Sequence, residues 1–143
     1  WIHLGGRAVN TFKEVFPLSS LDHILENSSS CSELTDTSHF HTDLYGFYIP
    51  GLCSGLAIKN KDLGIPLNPD EYPLITLLYN KGVKALFEMA QKEFDFEPQE
   101  KYLNKCHLCL DIRHHLAMDR KEDFPELHPE TFYKEVFRNP GQG

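Results

Sequence analysis

The chain has 143 residues, 41% hydrophobic and 12% aromatic, which is enough for one domain with its own core and excludes a disordered tail. A formal net charge of -7 excludes a general nucleic-acid-binding surface, which needs a basic face, though it leaves room for a local basic spot at Arg113, His114, His115 and Arg120. Apolar runs fall far short of a membrane span and no signal-peptide pattern opens the chain, so a cytoplasmic, reducing setting is expected.

In chain order, Trp1-Ile-His-Leu-Gly-Gly-Arg7 reads like the inside of a larger protein, and Pro140-Gly-Gln-Gly143 like a frayed tail. The expectation is a single domain over residues 1–143, excised from a longer chain that holds a catalytic part upstream. Residues 7–16 carry Ala8, Val9, Phe12, Val15 and Phe16 at mixed helical spacing, and Pro17 stops any helix there. Ser19 or Ser20 is placed to cap a short helix through Leu21, Ile24 and Leu25. Asn27-Ser-Ser-Ser30 is a loop, which sets Cys31 on or beside it.

Residues 39–50 predict two short strands. Phe40, Thr42 and Leu44 alternate with His39, His41 and Asp43; Tyr45-Gly46 gives the turn and Phe47-Tyr48-Ile49 the return strand. Pro50-Gly51 breaks the return strand and places Cys53 just past a sharp bend. The longest helix is predicted from about Tyr72 to Phe94, with Pro73 in its first turn, an apolar stripe through Leu74, Leu78, Leu86, Met89 and Ala90, and a weak point at Gly82. Asn104 is placed to cap a second helix with Leu108, Ile112 and Leu116 on one face. A last short helix, about Glu130 to Phe137, follows Pro129. The predicted fold class is α+β: a small antiparallel hairpin packed against three or four helices.

Four cysteines stand out: Cys31, Cys53 and the pair in Lys105-Cys106-His107-Leu108-Cys109. A Cys-x-x-Cys pair can share one metal ion or cluster, and two further cysteines complete the set. At the start of a helix, free N–H groups and the dipole favour thiolate over thiol, and residues three apart share a face. The expected metal site therefore lies between a loop and a helix N-terminus. Three chemistries remain open on spacing alone: metal or cluster, disulfide or redox pair, and unconnected thiols. The absence of a secretory signal weighs against disulfides, and no βαβ pattern of the thioredoxin kind surrounds the pair. A zinc ribbon shows two Cys-x-x-Cys knuckles; here Cys31 and Cys53 each stand alone, which lowers zinc relative to an iron–sulfur cluster.

His39-Phe-His-Thr-Asp-Leu-Tyr-Gly-Phe-Tyr-Ile-Pro-Gly-Leu-Cys53, followed by Lys105-Cys-His-Leu-Cys-Leu-Asp-Ile-Arg113, resembles the C-terminal extension of certain radical SAM proteins, of the SPASM or "twitch" kind. The resemblance covers scattered motifs over residues 31–116. It implies an auxiliary [4Fe–4S] cluster beside a separate barrel that binds S-adenosyl-L-methionine. Cys31 matches the first ligand, Gly46 the glycine of the strand turn, Cys53 the second ligand, and Cys106 and Cys109 the later ones. There is one departure: the family pattern places the second cysteine closer to the glycine than Cys53 is to Gly46. The barrel's own Cys-x-x-x-Cys-x-x-Cys motif is absent, so this chain by itself is not expected to cleave S-adenosyl-L-methionine.

Other residues carry plainer readings. His39 and His41 share one strand face and are read as hydrogen-bonded structural residues, with either as the alternative ligand in place of Cys31, giving three cysteines and one histidine. His107 is expected to be exposed or to support the ligands from behind, and His114 and His115 to lie on the helix surface. Asp43 and Asp111 are read as a cap and as a solvated partner of Arg113, rather than as acid–base residues. Tyr45, Phe47 and Tyr48 are candidates for shielding a cluster, or are ordinary strand residues. Three functions follow from these readings. The first is an auxiliary cluster-binding domain serving an upstream radical SAM barrel. The second is a zinc-stabilised structural or protein-binding domain. The third and weakest is a thiol oxidoreductase.

Overall fold

The structure, a computed structural model, describes residues 3–39, 41–120 and 123–138. Phe40, assigned above to the first hairpin strand, lies outside the described residues, as do Trp1 and Ile2 of the opening segment and the tail from 139. The fold is α+β. In chain order it runs α1 (Ala8–Phe12), β1 (Ser19–Ser20), α2 (Leu21–Glu26), β2 (His41–Thr42), β3 (Phe47–Ile49), β4 (Ile58–Lys59), α3 (Pro73–Phe94), β5 (Lys101–Tyr102), α4 (Lys105–Asp119) and α5 (Glu130–Val136). The described residues thus hold five α-helices rather than three or four, because α1 and α2 are short helices of 5 and 6 residues.

The hairpin forms as expected, with His41 opposite Ile49 and Thr42 opposite Tyr48. Asp43 Oδ1 closes its turn by accepting from the N–H groups of Tyr45 (2.8 Å) and Phe47 (2.9 Å), so this aspartate is a turn cap. Two pairings were not predicted. Ile58–Lys59 adds a third antiparallel strand beside β3, and Ser19–Ser20 pairs with Lys101–Tyr102. Each run is only 2 residues long, too short for a periodicity to register in sequence. Ser20 also caps α2 as expected, its hydroxyl accepting from His23 N–H at 3.3 Å.

The core is helical. Leu74, Ile75, Leu78, Val83, Leu86, Phe87 and Ala90 of α3 are buried and meet Leu108, Ile112 and Leu116 of α4, while α5 adds Phe132, Tyr133 and Val136. Met89, placed on the stripe, is half-buried. Gly82 does more than weaken α3: at φ +75° it breaks the helix in two. A Cβ there would sit 2.5 Å from Ser30 N, so the kink is where the loop before Cys31 presses in. Ser28 O accepts from Lys84 N–H at 2.9 Å and replaces the interrupted helical bond. Among the described residues, no helix is long and apolar enough to cross a membrane.

The start of α3 is held by an acid from a distant loop. Glu126, 2% exposed, accepts from Leu74 N–H (2.8 Å) and Ile75 N–H (3.0 Å), two of the unpaired donors of the first turn. Burial pushes its carboxyl up from 4.5 to about 7, against the pull of those two bonds. Between these values the folded chain holds a proton that the unfolded chain has lost. Stability is therefore greatest below pH 4.5 and declines as pH rises through about 7 as far as this group is concerned. Glu126→Ala is expected to cost about 2–4 kcal/mol by leaving two buried donors unpaired. Glu126→Gln should abolish this part of the pH slope in urea melts taken from pH 4.5 to 8, and a slope equal to the wild type's would contradict the assignment.

Candidate metal centre

The site is assembled from three separated segments. The first is the start of α4. Asn104 Oδ1 accepts from His107 N–H at 2.9 Å, as its capping position predicts, and its amide Nδ2 donates to Leu4 O at 3.0 Å. Cys106 and Cys109 then lie on the face of α4 that looks toward the chain's N-terminal segment and the loops, and Lys105 Nζ donates to Ser30 O at 3.2 Å. The second segment is the bend after β3. Cys53 N–H donates to Pro50 O (3.1 Å) and Leu56 N–H to Cys53 O (3.1 Å), two consecutive tight turns that point the thiol inward. The third segment is Cys31, which caps a 3-10 turn over Ser32–Thr35.

Gly51 joins the second and third segments. It adopts φ +56°, and a Cβ on it would lie 1.9 Å from Glu33 O. Only glycine lets the Cys53 bend and the Cys31 turn approach this closely.

All four cysteines are free and line one cavity of about 20 Å³, together with His3, Glu33, Leu78, Val83 and Arg113. Burial pushes the Cys31, Cys53 and Cys106 thiols up, Cys106 to about 12, and the neighbouring cysteines add to the effect in each case. This reverses the expectation that the helix start alone would favour thiolate: desolvation in the cavity outweighs the helix N-terminus. The thiols ionise together only when a cation offsets their charge. Among the described residues, no three His, Cys, Asp or Glu side chains are drawn together closely enough to hold a single ion. The donor chemistry, four soft sulfurs on one cavity, fits zinc or an iron–sulfur cluster. The volume is near that of one water molecule. A single ion thus requires the thiols to draw in, and a four-iron cluster requires them to turn outward.

Arg113 lies one helical turn beyond Cys109 on the same face of α4 and is 4% exposed. Its Nη1 donates to Ser54 O (2.9 Å) and Tyr133 Oη (2.8 Å), and Tyr133 Oη in turn donates to Gly55 O (2.6 Å). This clamp holds the backbone immediately after Cys53. The expected pairing of Arg113 with Asp111 does not form. Asp111 accepts instead from Tyr102 Oη (2.8 Å) and Gln99 Nε2 (3.2 Å) on the other side of the helix. The burial of Arg113 was the feature sequence reading missed, although its spacing of four from Cys109 was the available signal.

The histidines are placed otherwise than expected. His39 and His41 are exposed, with rings stacked at 6.2 Å, and neither lines the cavity. The structure does not bring either of them to the thiols in place of Cys31. His107 is 2% exposed, not on the surface, because it sits on the inward face of α4. Its Nδ1 accepts from Leu103 N–H at 3.1 Å, and burial holds its pKa below the usual value, so it is a neutral structural acceptor. His114 and His115 are half-buried, and His115 Nε2 lies 2.7 Å from Phe94 O. Tyr45 is 83% exposed and, with Phe47 and Tyr48, lies outside the cavity lining; none of the three shields it. No protein-family model, curated protein or solved structure matches this chain.

Proposed function

We propose that this domain carries an auxiliary [4Fe–4S] cluster on Cys31, Cys53, Cys106 and Cys109, and that it serves a radical SAM barrel on the same parent protein in a reducing, cytoplasmic compartment. The observation that carries the reading is the arrival of all four free thiols, from segments up to 78 residues apart, at one cavity. The apolar wall of Leu56, Leu78 and Val83 limits the water around the sulfurs and lowers the local dielectric, which strengthens charge interactions there. The tight turns at Cys53 and the capped start of α4 fix the backbone that carries the thiols. A bound cluster would supply an electron relay or a Lewis-acidic anchor for substrate.

One observation favours a second reading, a zinc-stabilised structural domain: the cavity is about the size of a single water molecule, closer to one ion than to a cluster. The two readings separate on metal and sulfide analysis of chain produced and purified without oxygen. About four irons with equimolar sulfide per chain, and a brown thiolate–iron absorbance, is the expected result. One zinc and no sulfide after anaerobic loading with iron and sulfide would establish the structural reading. A chain that takes up neither metal with its thiols reduced would refute both.

A further inference from the structure

We propose that Arg113 is the buried counter-charge of the thiolate centre, a positioning residue without which the four cysteines hold their metal weakly. The inference rests on the reading above that those cysteines bind a metal or cluster. A guanidinium removed from water is costly unless an anion faces it, and buried arginines are normally matched by carboxylates. Arg113 has no such match. Among the described residues no carboxylate lies within ion-pair distance of it; its two Nη1 acceptors are a carbonyl and a phenol, and Nε has no partner. Groups near it that can carry negative charge are Cys109 and Cys53, which line the same cavity, and Tyr133, whose hydroxyl it donates to.

The charge balance then closes in one way. Four thiolates around Zn²⁺, or around an oxidised [4Fe–4S] core, leave two negative charges in a small, largely buried cavity. Arg113 neutralises one of them from the inner wall. Lys105, whose Nζ is anchored to Ser30 O, lies at the outer rim beside Glu33 and His3, which lean toward each other at 3.7 Å. The same guanidinium holds Ser54 O, so charge and ligand position are set by one side chain. Because both candidate metals leave the same net charge, the inference does not depend on which is bound.

The test compares Arg113→Gln, which keeps a donor and loses the charge, with Arg113→Lys, which keeps the charge. Zinc affinity of the full chain is measured by competition with a chromophoric chelator, and thermal unfolding is followed with and without zinc. The expected result for Arg113→Gln is a loss of affinity of about tenfold or more, the size seen when groups supporting metal ligands are removed. Metal-free Arg113→Gln should be destabilised less than the loaded variant, because in the metal-free chain the loss of the Ser54 and Tyr133 bonds is offset by removal of an unmatched buried charge. Arg113→Lys should recover most of the affinity. In iron- and sulfide-loaded chain, Arg113→Gln should lower the midpoint potential, since a positive charge beside the cluster favours the reduced state. Unchanged zinc affinity in Arg113→Gln would overturn the inference, as would equal destabilisation of metal-free and loaded chain with no rescue by lysine. A wild-type chain that binds neither metal would instead overturn the metal reading itself, and the counter-charge role with it.

Discussion

Cys106→Ala is expected to leave the chain with less than half its metal and a clearly lowered melting temperature. Cys106 sits in the first turn of α4, its position set by the Asn104 cap and by the Lys105 tether to Ser30 O. Metal binding is coupled to folding, so a lost ligand appears as lost stability. If the four cysteines bind a metal as proposed, the coupling should be strong, because the ligands come from three separate segments of the chain. Without the metal, those segments are held by close backbone approaches and by the clamp of Arg113 and Tyr133. Cys109→Ala, Cys53→Ala and Cys31→Ala should behave alike. His39→Ala and His41→Ala, at exposed positions away from the cavity, should change neither metal content nor melting temperature. Metal analysis and calorimetry on the same samples check this. Full metal stoichiometry in Cys106→Ala would dismiss the four-cysteine centre, and loss of metal in His41→Ala alone would replace one cysteine by a histidine.

Gly51→Ala is the second large effect. The new methyl would lie 1.9 Å from Glu33 O, a backbone atom that cannot turn aside, and the residue would have to keep φ +56°. The conformational cost alone is about 1–2 kcal/mol, and the collision adds to it, so a total above about 3 kcal/mol is expected. Relief of the collision would part the Cys53 bend from the Cys31 turn, so metal affinity should fall as well. Gly46→Ala is the matched control. Gly46 also has positive φ, at +89°, but a Cβ there meets nothing within 4 Å. It should therefore pay the conformational cost only and keep its metal. Denaturant melts and chelator competition on the two variants measure both effects; equal losses of affinity would show that the contact with Glu33 does not build the site.

What the sequence determined is local. Asn104 before an apolar stripe specified α4 and put Cys106 and Cys109 at its start, and Ser20 specified the start of α2. The alternation around Tyr45-Gly46 specified the hairpin, and Pro73 with the stripe that follows specified α3. Each of these rests on caps, turn residues or periodicity within a few positions, where neighbours in sequence are neighbours in space.

What the tertiary structure decided is everything that depends on distant contact. The pairings of β1 with β5 and of β4 with β3 join runs of 2 or 3 residues that carry no pattern of their own. The inward turn of His107 and the outward turn of His39 and His41 follow from which face each element packs, not from residue type. Glu126 looks like any surface acid until α3 begins against it. Cys31 and Cys53 line one cavity with the α4 pair because Gly51 and Gly82 let backbones close to distances that any side chain would forbid, and a glycine's letter does not say what approaches it. Arg113 reads in sequence as part of a basic surface spot; the packing of α4 buries it on the cavity wall beside Cys53 and Cys109, with no carboxylate among the described residues to match its charge.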